Sequence, residues 1–145
     1  MNVKRFVSAS LAVYVASLAL GFLIHGVILK PTYDSLASIW RPNMNSLMWI
    51  VWVNGLITSV IFTYIFAKGY EGKGIMEGAR FGAIMGVFIS VPMAYGTYMM
   101  IPIPYTLAFQ WFLYGTAQTI LLGITAAAVY KPGVETIKGS RAATA

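Results

Sequence analysis

Four apolar runs, each longer than 20 residues, fill most of this chain and leave little for anything else. They cover approximately residues 6–29, 46–67, 78–101 and 104–130. At about 1.5 Å of rise per residue, each exceeds the ~30 Å hydrocarbon core of a bilayer. A lone apolar run in lipid must satisfy its own backbone hydrogen bonds, and it does so as an α-helix. The expectation is an all-α integral membrane four-helix bundle. It is a single transmembrane domain over residues 1–145, ending in a polar tail at 131–145. Charge points the same way, because only 10% of the 145 residues are charged and mean hydropathy is +0.74. A soluble domain carries about 25% charged residues to cover its surface.

The first run has the basic start of a signal peptide in Lys4 and Arg5, and Ser35-Leu36-Ala37 is a passable cleavage site. Its apolar stretch is much longer than the roughly 7–15 residues of a signal sequence, so it reads as a retained span. Orientation follows from the cations. Lys4 and Arg5, then Lys68, Lys73 and Arg80, then Lys131, Lys138 and Arg141 share one side, against Lys30 and Arg41 on the other. That imbalance predicts both termini in the cytoplasm (N-in, C-in). The longest connection, residues 30–45, lies outside, bounded by Lys30-Pro31 and Arg41-Pro42, with room for a short interfacial helix carrying Trp40.

Net charge is +6, but the ten Lys and Arg lie between apolar runs rather than in a block. This reads as topogenic charge near anionic headgroups, with Lys68, Lys73 and Arg80 the expected lipid contacts, and not as a nucleic-acid surface. There is no cysteine. Disulfides, thiolate nucleophiles and cysteine-held metals are excluded.

Three patterns carry information beyond topology. On the third span Gly78, Gly82, Gly86, Ser90 and Ala94 recur every four residues, a glycine zipper along one face. The fourth has a weaker row in Gly115, Thr119, Gly123 and Ala127. Small residues let helix backbones approach closely in lipid. The pattern leaves open whether these faces meet within one subunit or between subunits. Pro92, in mid-span, removes the bond to the Phe88 carbonyl and predicts a kink.

The second pattern is a polar layer. His25, Asn54, Tyr95 and Gln110, one on each span, fall at comparable depth in the outer third. Each is costly to turn toward lipid. They are candidate ligands for a quinone head, a small polar solute or a lipid, with Tyr14, Trp52, Tyr98 and Tyr114 as further lining. The structural alternative is interhelical hydrogen bonding. The third pattern is the glycine-rich connection at residues 68–78. It meets neither the Walker nor the dinucleotide spacing and reads as a tight turn, with Glu77 at a helix N-terminus and Arg80 on the same face.

Absences narrow the function classes. Asp34, Glu71, Glu77 and Glu135 are the only acids, all at or beyond the span boundaries, which disfavours proton- or cation-coupled transport. One histidine leaves haem, zinc or di-iron sites without partners. No metal, cofactor or catalytic residue is expected, and the chain does not read as an enzyme.

The stretch from Tyr64 to Gly86, with its Lys-Gly-Tyr-Glu-Gly-Lys-Gly turn, and the Gly-Phe-Leu-Ile-His-Gly-Val run at 21–27 resemble small uncharacterised four-span bacterial membrane proteins. The resemblance implies the fold and a bacterial inner (cytoplasmic) membrane, and it brings no activity. Small multidrug exporters would require a carboxylate in the first span, and four-span quinone-linked disulfide enzymes would require cysteines. Two expectations follow. One is a non-catalytic subunit packed against a larger membrane complex, respiratory or otherwise redox. The other is a stand-alone homo-oligomer that binds or moves a small molecule through the outer polar layer.

Overall fold

The computed structural model describes residues 2–131, and those residues contain helices and connections with no strand. The tail from 132 onward, including Glu135, Lys138 and Arg141, lies outside the described residues. Four helices are long and apolar enough to cross a membrane, which suggests a multi-pass membrane protein. Their limits fall within about three residues of the four apolar runs.

Helix α1 (Val3–Gly21) starts at Asn2, whose side-chain oxygen accepts the Arg5 N–H at 3.2 Å. It continues without a break into a π-helical stretch at Phe22–Ile28, so the first candidate span is Val3–Ile28. The wide turn shows in the Leu29 N–H, which reaches back five residues to the Ile24 carbonyl at 2.8 Å. Gly26 suits it, because a Cβ there would lie 3.0 Å from the Phe22 ring.

Helix α2 (Lys30–Ser35) follows directly. Pro31 does not end a helix here. It sits in the first turn of a new one, where its missing N–H has no intrahelical role. The short helix expected in this connection therefore carries Tyr33, while Trp40 comes after it in extended backbone. Two 3₁₀ turns, Ala37–Ile39 and Met44–Leu47, lead into α3 (Met48–Lys68).

The turn at 69–74 uses left-handed backbone at Gly72 (φ 81°) and Gly74 (φ 77°), where a side chain would be strained. Its amides fold around Glu77 of α4 (Ile75–Met100), whose carboxylate accepts the Glu71 N–H at 2.6 Å and the Lys73 N–H at 2.7 Å. The glycine-rich loop thus wraps a carboxylate of its own chain. Glu71 also pairs with Lys73, and that hydrogen bond and charge hold the Glu71 carboxyl below its ordinary range. Helix α4 runs unbroken through Pro92 to Met100. After Ile101–Pro104, α5 (Tyr105–Val129) returns antiparallel.

Helices α4 and α5 form the closest pair, α1 packs on α3 and α5, and α3 and α4 touch little. The small-residue rows explain the first fact. Gly78, Gly82, Gly86, Ser90 and Ala94 are all buried. A Cβ on Gly82 would collide with the Thr119 carbonyl and lie 2.7 Å from the Ile120 Cα, and a Cβ on Gly115 would lie 2.5 Å from the Ser90 hydroxyl. Gly123 meets Gly78 backbone to backbone. The faces left open between intra- and intersubunit packing are engaged here within one chain.

Two apolar clusters close the ends of the bundle. At the end bearing the chain termini, Ala9, Val13, Phe62, Phe66, Leu122, Ala126, Ala127 and Tyr130 pack together. The Phe81 ring stacks there at 4.8 Å from Phe62 and 5.4 Å from Phe66, and this is where α3 and α4 meet. At the opposite end Ile24, Leu29, Ile103, Leu107 and Ala108 form a second core, covered by Tyr33, Leu36, Ile39 and Trp40. Between the clusters α3 and α4 are not drawn together, and a space remains.

Candidate functional site

That space is a cavity of about 320 Å³ lined from α1, α3, α4 and α5. Its polar wall comprises Ser17 and His25 on the first span, Asn54, Thr58 and Ser59 on α3, Ser90 on α4, and Gln118 and Thr119 on α5. The side-chain hydrogen bonds that cross between helices here are few. Gln118 Nε2–H donates to the Ser17 carbonyl and the Tyr14 hydroxyl donates to the Trp52 carbonyl, both at 3.3 Å. The Asn54 amide, exposed on the α3 wall, is left without a partner among the described residues.

A second cavity, of about 350 Å³, adjoins it toward the end opposite the termini. His25, Tyr33, Trp40, Met44, Met93 and Trp111 line it, and its walls are almost wholly apolar. His25 and Met93 belong to both cavities. Both volumes lie near the lower end of the range for small-molecule sites, about 300–1,000 Å³.

Tyr33 organises the junction. Its hydroxyl is 2.6 Å from His25 Nδ1 and accepts the Trp111 indole N–H at 2.7 Å. Its carbonyl accepts the Trp40 indole N–H at 3.1 Å. Trp40 meets the Tyr33 ring edge-on at 5.7 Å, and the imidazole lies nearly parallel to it at 5.9 Å. Burial raises the Tyr33 hydroxyl above the ordinary tyrosine range, partly offset by the Trp111 hydrogen bond. Helix α2 positions this tyrosine, and the π-helical stretch carries the histidine that meets it. π-Helical turns concentrate at functional sites.

The structure brings together two of the four residues in the expected polar layer. His25 and Asn54 line the polar cavity, but Tyr95 and Gln110 line neither cavity. Tyr95 packs among aromatics, 6.1 Å from Tyr105 and 6.4 Å from Phe112, and Gln110 is half-buried outside the cavities. Tyr98 lies edge-on to Tyr105, and Tyr114 packs on the far-end core.

The reason is angular. Successive helix residues turn by about 100°, so Trp111, Gly115, Gln118 and Leu122 share a stripe while Gln110 stands about 80° round from Gln118. Tyr95 is likewise about 160° from Met93. Depth alone selected Gln110, whereas the stripe running through Gly115 points to Gln118. Tyr33 and Trp111 had no comparable signal, because their pairing depends on how the 30–45 connection folds back.

The cations expected at headgroups gather at the end bearing the termini. Lys68 lies over the Tyr64 ring at 5.5 Å, Lys73 pairs with Glu71, and Arg80 is exposed on the first turns of α4. Burial, with the nearby Glu77 and Tyr130, raises the Tyr70 hydroxyl at the same end. Among the described residues no group of three or more potential metal ligands occurs.

Compared with known proteins, the chain shows no significant match to a family model, to a curated protein or to a solved structure.

Proposed function

We propose that this chain is a multi-pass membrane protein that holds a small, uncharged amphipathic molecule between its helices. One observation carries the reading: two adjoining cavities share His25 and Met93, and no Asp, Glu, Lys or Arg lines either one. A charged guest would shed its hydration there without a counter-charge, at a cost of several kcal/mol. A neutral molecule with a few hydrogen-bonding groups meets amide, hydroxyl and imidazole partners. The loose contact between α3 and α4 offers it a lateral route from the hydrocarbon.

The count of Lys and Arg supports an N-in, C-in placement, which sets the aromatic cavity toward the outer face, and the resemblance to bacterial membrane proteins favours a bacterial inner membrane. Lys68 and Arg80 would then face anionic headgroups on the inner side. The lining residues supply hydrogen bonds, and the one hydroxyl beside a base, Tyr33 on His25, is held between the imidazole and the Trp111 indole, which favours binding or transfer over catalysis. Membership of a larger complex as a non-catalytic subunit is the competing reading. It rests on small-residue faces, absent catalytic groups and small extramembrane mass, and the first of these is taken up here by the packing of α4 on α5.

Native mass spectrometry of the protein purified in mild detergent tests the proposal. The expected spectrum shows a bound neutral molecule at up to one per chain. Thr58→Trp, which pushes an indole into the cavity from the loosely packed α3 side, should remove it. A bare chain that travels with a fixed set of larger proteins would overturn the proposal in favour of the subunit reading.

A further inference from the structure

We infer that the head of this molecule is a flat ring bearing a carbonyl, held by the Nε2–H of His25 with Tyr33 as the positioning residue; the inference rests on the binding reading above. The hydrogen-bond inventory leads there. An indole nitrogen can only donate, so Trp111 engages the Tyr33 hydroxyl as an acceptor. The Tyr33 proton then needs an acceptor of its own, and His25 Nδ1, at 2.6 Å, is the one in reach. An imidazole that accepts at Nδ1 and stays neutral carries its proton on Nε2, a tautomer assigned from this network. His25 therefore presents an N–H donor to the cavities it lines, and an acceptor is what that donor requires.

The shape of the guest follows from the same bonds. Both indole N–H groups are used on Tyr33, one on its hydroxyl and one on its carbonyl. What Trp40 and Trp111 have left to offer is ring surface, flanked by the Met44 and Met93 thioethers. Flat apolar walls with one donor at the junction fit a planar ring with a carbonyl edge. The polar cavity beyond His25 adds the unpartnered Asn54 amide for a second oxygen. A quaternary ammonium would find aromatic faces but would meet the N–H of a neutral imidazole, a repulsive contact.

The test uses the full chain in detergent and two probes with the same tail, decyl-benzoquinone and decylbenzene, titrated by native mass spectrometry. The expected result is that His25→Phe weakens the quinone about tenfold, the scale of one lost hydrogen bond, and leaves decylbenzene unchanged. Retained decylbenzene binding shows that the pocket has survived the substitution. His25→Gln, which keeps an N–H donor near the Nε2 position, should recover most of the quinone affinity. If His25→Phe weakens both probes equally, or neither, the carbonyl inference is overturned while the pocket stands. If the wild-type chain holds neither probe, the binding reading fails with it.

Discussion

Adding one methyl group to Gly82 should loosen the bundle, and adding one to Gly96 on the same helix should do nothing. A Cβ at Gly82 would meet the Thr119 carbonyl and lie 2.7 Å from the Ile120 Cα and 2.9 Å from the Thr119 carbonyl carbon, whereas ordinary contact begins at 3.4 Å. The obstacles are backbone atoms, which cannot rotate away. Relief requires α5 to retreat by at least 3.4 − 2.7, about 0.7 Å, and by more at the Thr119 carbonyl oxygen, which lies closer still. A gap of that size forfeits roughly a quarter to a half of the dispersion energy across the contact.

Overpacking of this kind costs about 1–3 kcal/mol, and we expect Gly82→Ala near the middle of that range. At Gly96 nothing lies within 4 Å of the added carbon. The usual helix-propensity gain of alanine over glycine is about 1 kcal/mol in water. It largely cancels when the unfolded reference state is itself helical, as it is in SDS. Reversible unfolding in mixed micelles, followed by tryptophan fluorescence, gives both free energies. Equal values for the two variants, or a Gly82→Ala protein at least as stable as the parent, would refute the packing argument.

Three further outcomes follow from the contacts. Glu77→Ala removes the acceptor of two loop amides, so hydrogen exchange at the Glu71 and Lys73 N–H groups should accelerate at least about tenfold, with little change in the helices. Trp111→Phe leaves the Tyr33 hydroxyl without its donor and should destabilise the fold by about 1 kcal/mol in the same micelle assay; no change would mean that the indole bond contributes nothing. Because the folded state raises the Tyr33 hydroxyl, its contribution is complete below the free tyrosine value of about 10 and is lost as pH rises through the higher folded value. The tyrosinate absorbance of the parent minus that of Tyr33→Phe should therefore titrate later than free tyrosine, and an earlier titration would contradict the buried, hydrogen-bonded placement.

The helices were legible because their cause is one-dimensional. A run of apolar residues longer than the bilayer is thick leaves the backbone one solution, and residue order suffices to find it. The α4 face was legible for the same reason, since a four-residue repeat of small side chains declares a stripe before any partner is known. Its partner was not declared, because α5 carries only the matching row at Gly115, Thr119, Gly123 and Ala127. Closeness at Gly78–Gly123 becomes evident only when both backbones are in place. The cavity was half legible. Polar residues at one depth drew attention to His25 and Asn54, but depth ignores rotation, and the same criterion chose Gln110 and Tyr95 over Gln118. The π-helical stretch left no mark beyond Gly21 before it and Gly26 within it, and it alters the rotation of everything after it.

The cavity itself follows from an imbalance in how the helices attract one another. In lipid, apolar burial gives no net drive between helices, so close packing of small residues decides which pairs come together. Helices α4 and α5 have such rows, and they meet along their length. Helices α3 and α4 touch little, and their aromatic contacts, Phe62 and Phe66 on Phe81, lie near one end. A bundle with one tight pair and one pinned end must open somewhere, and it opens where Asn54, Thr58, Ser90 and Met93 face each other across the gap. Under the binding reading proposed above, the amide and hydroxyls at this gap are the partners of the bound molecule.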